Sequence, residues 1–340
     1  MEYLKLTSTD PYQNGFNHGK VFKSKIQEFA NKRWNLLKEN YLMKASEEDI
    51  LKIAVKQIET LKKHPDLYSE FKGIAEGAEI SEEKLCVLNN YTDIRNFPEE
   101  GGCTCIYVKN EKGVHTGQTW DMTADALPYT LHLEIKNKSQ HLHVLTVVGC
   151  LGLGGTNGDV AVSINDLKTT EVNPEGLQWP ALVRLMLNEN VASFAFEQLK
   201  KNMPVSGHHY LIADKHECFG IETTGKRWKD VHENKTQPYV HTNHYLSELG
   251  DASVDMSLSE TTKKRLSNTQ SFFYEDLSNL DTFEICNKLL GRDYKEGGVC
   301  MKVEGIDGEA VTCGGFMINL ATGEGQIFAD EYKGVKPFKI

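Results

Sequence analysis

Near residue 100 the apolar period of this 340-residue chain changes. Upstream, apolar residues recur three and four apart, as in Phe22, Ile26 and Phe29 and again through Ile50, Ile53, Ile58 and Leu61, which predicts amphipathic helices over roughly 10–96. Downstream come short β-branched or aromatic runs at 103–108, 113–120, 129–135, 141–148 and 159–164, separated by turn residues such as Asn110-Glu111-Lys112-Gly113. Helices are expected again at 178–187, 191–200, 257–277 and 282–290, with strands at 209–213, 218–223, 239–242, 315–320 and 325–329. Strand blocks alternating with helix pairs favour two antiparallel sheets covered by helices in one layered domain.

The change of period falls at Glu99-Glu100-Gly101-Gly102-Cys103-Thr104-Cys105. Two glycines before a cysteine fit a strained turn that delivers a nucleophile to the first residue of a strand, because glycine tolerates positive φ and close backbone approach. A thiol there can attack the carbonyl of Gly102, shift the peptide to a thioester and, after hydrolysis, leave Cys103 as a new N-terminal residue. The intact chain would then be a zymogen. In the product the α-amine of Cys103, with a pKa near ~8, can serve as base for its own thiol. The same residues also fit a plain turn before a strand that buries an ordinary cysteine.

Composition narrows the class. Apolar residues make up 39% and charged residues 25%, and the net charge of -10 argues against a nucleic-acid surface, which leaves small-molecule chemistry as the expectation. No run of about 18 apolar residues is present and the N-terminus lacks a basic-then-apolar leader, so no membrane partner and a cytoplasmic location are expected. The eight cysteines lack the density of a disulfide scaffold and read as reduced thiols.

Trp120-Asp121 ends the strand after the Cys103 strand, so a hairpin should bring Asp121 back to the level of Cys103; an ordinary strand-end Asp facing water fits as well. In His241-Thr242-Asn243-His244 the Asn243 amide is a suitable neutral donor for an oxyanion, and a turn containing Asn is the plainer alternative. His241 and His244 lack a third ligand at a useful spacing, so neither a metal nor a cofactor is expected. Cys105, two residues along the strand, shares a face with Cys103 and is expected to line the pocket. The pocket is expected to include Thr119, Trp120, Met122 and His244 as well. Gly152 to Gly158 reads as a flexible turn supporting it, and Arg184, Lys263, Lys264 and Arg265 read as solvated helix residues. Gly73 and Gly77, four apart in a helical stretch, suggest close packing.

Taken in order, these segments resemble the acyl-coenzyme A:6-aminopenicillanic acid acyltransferase family of N-terminal nucleophile (Ntn) cysteine hydrolases. The resemblance rests on Gly15-Phe16-Asn17-His18-Gly19, on Phe71 to Ala78, on Gly102-Cys103-Thr104 and on Gly117-Gln118-Thr119-Trp120-Asp121. It continues through Asn157-Gly158, Asn165 and Thr242-Asn243-His244-Tyr245. It implies an α+β, four-layer αββα sandwich with a helical N-terminal segment. Self-cleavage between Gly102 and Cys103 would yield a 1–102 fragment and a 103–340 catalytic fragment that stay associated as a heterodimer. Cys103 is then the nucleophile, Asp121 its support and Asn243 the oxyanion donor. The activity implied is that of an amidohydrolase or acyltransferase on a non-peptide or N-acyl amide C–N bond, with a small-molecule amide or acyl thioester as substrate and hydrolysis of linear amides favoured. The rival is a non-catalytic relative that binds an acyl-amine ligand in the same pocket. The chain departs from the family in carrying Thr119 where Asn is usual and Cys105 where Ser or Thr is common. A Ser-Arg pair of the fungal acyltransferase has no counterpart around Val311-Thr312-Cys313.

Overall fold

The structure, a computed structural model, describes residues 1–39, 46–95, 102–254, 260–302, 310–330 and 332–340. Glu2–Leu6 (β1) precedes the helices Pro11–Val21 (α1), Lys23–Glu39 (α2), Glu47–Leu61 (α3), Pro65–Ala78 (α4), Glu82–Asn89 (α5) and Tyr91–Arg95 (α6). Six strands follow: Gly102–Asn110 (β2), Gly113–Thr123 (β3), Thr130–Lys136 (β4), His141–Val147 (β5), Gly154–Thr156 (β6) and Ala161–Asp166 (β7). Helices Trp179–Met186 (α7) and Ala192–Lys201 (α8) lead to His208–Ala213 (β8), Cys218–Thr223 (β9), Trp228–Asp230 (β10) and Tyr239–His241 (β11). Glu260–Phe272 (α9), Thr282–Ile285 (α10), Ala310–Asn319 (β12), Glu324–Ala329 (β13) and Lys333–Lys339 (β14) come last.

The described strands form two sheets, one in the order β1-β4-β5-β6-β7-β8-β9-β10 and the other β11-β2-β3-β12-β13-β14. All their pairings are antiparallel except β1 with β4. The alternation of β2 shows how the layers are divided, since successive strand side chains point to opposite faces. Ile106 and Val108 pack with Phe272 of α9 and Ile285 of α10, whereas Cys105 and Tyr107 pack with Leu211 and Ala213 of the first sheet. Helices α2 to α8 cover the other face of that first sheet through one large apolar cluster. The layers therefore run helix, sheet, sheet, helix, an α+β sandwich as the resemblance implies.

Local chemistry starts the helices. Asp10 caps α1 with Pro11 behind it, Ser46 and Asp49 form a capping box on α3, and Ser81 caps α5. The glycines of α1 and α4 let these two helices touch: a Cβ on Gly73 would lie 2.3 Å from the Tyr12 carbonyl oxygen, and one on Gly15 only 1.9 Å from that of Glu70.

Several elements correct the sequence reading. The N-terminal segment is not purely helical, because β1 pairs with β4, and β10 and β14 add sheet edges that no turn signal announced. The expected flexible turn at 152–158 contains β6, paired on both sides. Of the helix expected at 257–277, the structure gives Glu260–Phe272; residues 257–259 lie outside the described residues, as do Asn96 and the stretch Glu99 to Gly101. The helix expected at 282–290 passes from α10 into a π turn at Cys286–Leu290. No helix among the described residues is long and apolar enough to cross a membrane.

Arg184 is not solvated either. It is buried and forms a two-pronged pair with Glu70 of α4, at 2.8 Å for each prong. Removing the carboxylate leaves a guanidinium buried against it, so Glu70→Ala is expected to cost about 3–5 kcal/mol. A urea unfolding curve coincident with wild type would refute this.

Candidate active site

The β2–β3 hairpin turns through Asn110 and Gly113, and its register pairs Cys103 with Trp120 and Gly102 with Asp121. Asp121 therefore sits one residue off the expected level. Opposed residues share a face, so the Asp121 side chain lies on the side of Gly102, Thr104 and α9, and the Cys103 side chain on the side of the first sheet. Thr119 shares the Asp121 face, where its hydroxyl accepts the Thr104 N–H at 3.2 Å. Gly102 has extended, strand-paired backbone and not the positive φ expected of the junction. Its glycine is needed for space: a Cβ there would lie 2.2 Å from an Arg265 guanidinium nitrogen and 2.6 Å from Asn243 Oδ1.

Both backbone polar groups of Cys103 are held by side chains. Its N–H donates to Asn243 Oδ1 at 2.7 Å, and its carbonyl accepts from Asn165 Nδ2 at 2.8 Å and from Arg265 at 2.7 Å. Strand β11 stops at His241, opposite Cys105, so the next rung of that ladder would fall at Asn243 and Cys103. The Asn243 amide takes the place of the strand there. Its oxygen also accepts from Arg265 at 3.0 Å and its nitrogen donates to the Asp166 carbonyl at 3.1 Å, which fixes the orientation of the group.

Behind Asn165 runs a polar chain. His209 Nδ1 donates to Asn165 Oδ1 at 2.7 Å, and Tyr239 donates to His209 Nε2 at 3.0 Å, an assignment of protons that satisfies every link. Burial, with His241 and His232 nearby, holds His209 well below its ordinary range, which suits a neutral ring between Asn165 and Tyr239. His241 stacks on it at 3.7 Å and bonds Glu222 at 2.8 Å, while His244 Nδ1 bonds the Thr262 hydroxyl at 3.0 Å; the two histidines face different partners.

Electrostatics divide the two candidate reactants. Burial pushes the Cys103 thiol up and the Asp121 carboxylate adds to this, against the pull of Arg265 and of the Asp121 backbone amide. The thiol is neutral in the intact chain. Burial also pushes Asp121 up, to about 6, although Arg265 and a 2.6 Å bond from Thr312 act against it. Asp121 Oδ2 is buried without a hydrogen-bond partner.

The structure thus gathers Cys103, Asp121, Asn243 and Gly102. Cys105 is fully buried in the intersheet cluster, Trp120 is half-buried opposite Cys103, Met122 packs at the edge of the main core, and His244 adjoins Asn243. The sequence reading missed the part played by Arg265, which is fully buried and not solvated, and it gave no role to Asn165, His209 or Thr312. Arg265 carried a signal in its spacing, since Thr262, Arg265, Thr269 and Phe272 form a buried helical stripe, but three of the four are polar. Lys263 and Lys264 are exposed as expected.

A family described as acyl-coenzyme A:6-aminopenicillanic acid acyl-transferase matches residues 108–302, a span that includes Asp121, Asn165, Asn243 and Arg265 and begins just after Cys103. The acyl-coenzyme A:6-aminopenicillanic-acid-acyltransferase 40 kDa form of Emericella nidulans is 26% identical over 255 residues, covering 73% of this chain and 70% of that relative. Among solved structures, a mutant conjugated bile acid hydrolase from Clostridium perfringens is similar with a TM-score of 0.45 and 11% identity, over 70% of this chain and 92% of its own. Penicillin V acylase from Agrobacterium tumefaciens gives 0.39 and 11%, over 70% and 86%.

Proposed function

The chain belongs to the acyl-coenzyme A:6-aminopenicillanic acid acyltransferase family, and on that premise we propose that it is a self-processing cysteine amidohydrolase or acyltransferase working through a thioester on Cys103. The observation that carries this reading is the clamp on Cys103, whose N–H and carbonyl are held by Asn243, Asn165 and Arg265 from three separate segments. A cysteine that merely filled the core would need no such control of its backbone.

Maturation uses the peptide itself as substrate. Cys103 Sγ adds to the Gly102 carbonyl carbon, its proton passes by way of a water around the Gly102 end of the strand to Asp121 on the opposite face, and the carbonyl oxygen takes the negative charge. Collapse breaks the Gly102–Cys103 C–N bond as Asp121 returns the proton to the departing nitrogen. Water then cleaves the thioester, which leaves a carboxylate on Gly102 and a free thiol and amine on Cys103. Residues 1–102 and 103–340 remain together as a heterodimer.

In turnover the α-amine takes the thiol proton as sulfur attacks the acyl carbon of a small N-acyl amide, and the resulting ammonium protonates the leaving amine. Asn243 and a backbone N–H stabilise the oxyanion. Hydrolysis of the thioester completes the favoured reaction; attack by a second amine would give transfer.

Acid-quenched mixtures with a panel of N-acyl amines should show the acyl mass on the Cys103 peptide. Asn243→Ala is expected to slow acylation roughly a hundredfold to a thousandfold with little change in substrate affinity, because the donor acts on charge that develops in the transition state. Matured protein that binds these amides without ever forming the adduct would favour a non-catalytic binding role.

A further inference from the structure

On the β4–β5 pair, away from the Cys103 hairpin, alternate residues place His132, Glu134, His141 and His143 on one face. Glu134 is directly opposite His143, and Leu131, Leu133 and Ile135 point the other way into the helix-covered core. This face looks toward the second sheet, where Phe338 of β14 stacks on the His143 ring at 4.2 Å. Three imidazoles and a carboxylate are a costly filling for an intersheet layer unless each finds a partner.

The hydrogen bonds do not quite close. His141 Nε2 lies 3.2 Å from Glu134 Oε1 and 3.1 Å from His143 Nε2, so one ring nitrogen faces two groups with a single proton to offer. If His141 donates it to His143, His143 donates in turn through Nδ1 to His132 Nε2, 2.9 Å away, and Glu134 Oε1 receives no proton from the His141 ring. One positive charge at the meeting point of the first three groups would satisfy them all.

We propose that Glu134, His141 and His143 form a divalent transition-metal site of the zinc class. Their ligand atoms all lie within 4.8 Å of one another. A tetrahedral ion with bonds of about 2.0–2.1 Å has ligand-to-ligand edges of roughly 3.3 Å, close to the two short separations already present. Two imidazole nitrogens and one carboxylate oxygen suit that ion and leave a fourth position for water. The surroundings resemble a second shell: His132 receives the Nδ1 proton of His143, and the Tyr3 hydroxyl donates to Glu134 Oε2 at 2.5 Å. Lys5, which shares Oε1 at 2.9 Å, has a side chain 44% exposed and can turn to solvent when the ion binds. Since Tyr3 belongs to β1, the ion would pin that edge strand to the β4–β5 pair. The site is independent of the proposed thioester chemistry and differs from the His241 and His244 pair that the sequence brought forward.

The test is titration of the full chain, freed of metal by chelation and dialysis, with Zn2+ and with Co2+. Wild type is expected to take up one equivalent of Zn2+ and to melt at a higher temperature with it. The Co2+ form should show tetrahedral d–d bands without the near-ultraviolet thiolate band that cysteine ligation would produce. His132→Ala should weaken uptake roughly tenfold to a hundredfold, as loss of a supporting partner does. His141→Ala, at a partly exposed position, should abolish the uptake while leaving metal-free melting near wild type, and Glu134→Gln should reproduce the loss if that variant folds poorly. No uptake by wild type, equal uptake by His141→Ala and Glu134→Gln, or a thiolate band would each overturn the proposal.

Discussion

Wild-type protein incubated at neutral pH is expected to resolve on denaturing mass analysis into residues 1–102 and 103–340, while Cys103→Ala stays a single chain of 340 residues. The variant loses the attacking sulfur and nothing else, since the bonds to Asn243, Asn165 and Arg265 involve the backbone of residue 103. Under native conditions the two fragments should elute together. The N-terminal part contributes β1 to the first sheet and Ile26, Phe29, Ile58, Phe71 and Leu85 to the same apolar cluster as Leu131 and Val144. Cutting one peptide bond removes none of that buried surface. Wild type that remained uncut after prolonged incubation would contradict the maturation scheme, and fragments that separated without denaturant would contradict the heterodimer.

The distribution of what could be read in advance follows from what sequence patterns encode. β2 announced itself as a short β-branched and aromatic run bounded by turn residues, because Cys105 and Tyr107 enter one apolar cluster and Ile106 and Val108 another. The register of its hairpin was available too. Pairing Asn110 with Gly113 across the two-residue turn and counting back puts Asp121 opposite Gly102 and Trp120 opposite Cys103. The expectation that Asp121 meets Cys103 slipped by one, and on a strand a slip of one residue exchanges faces. The clamp was not readable, because its members come together from β7, α9 and the segment after β11 through tertiary packing that no local period records. Arg265 shows the difficulty most clearly. A charged residue between two lysines and a leucine looks solvated, yet its side chain is held by the Cys103 carbonyl, the Thr104 hydroxyl and Asn243. Edge strands β1, β10 and β14 escaped for a simpler reason: each is short or half exposed and offers little apolar alternation to read.

Asp121→Asn is expected to fold normally and mature roughly a hundredfold or more slowly, the loss typical of removing a general base. The structure separates the two effects. Oδ1 accepts from Thr312 and an amide oxygen can do the same, whereas Oδ2 has no hydrogen-bond partner whose loss would destabilise the fold. The raised value of about 6 also sets the direction with pH. In the folded chain the carboxyl holds its proton over the interval between its ordinary value near 4 and about 6, so the folded state gains from Asp121 as pH falls through that interval and has no advantage from it at pH 7. Asparagine therefore forfeits no stability from that source at neutral pH, and thermal melting there should nearly match wild type. Processing follows the opposite course, since only the ionised group can take the thiol proton. Wild type should process at a steady rate above about 6 and about tenfold more slowly one pH unit below it, while the slow rate left in Asp121→Asn should show no inflection there. Quenched time courses read by intact mass from pH 4.5 to 8 give the comparison. An unchanged inflection in Asp121→Asn would assign the titration to another group, and a large drop in melting temperature with processing intact would make Asp121 a structural residue.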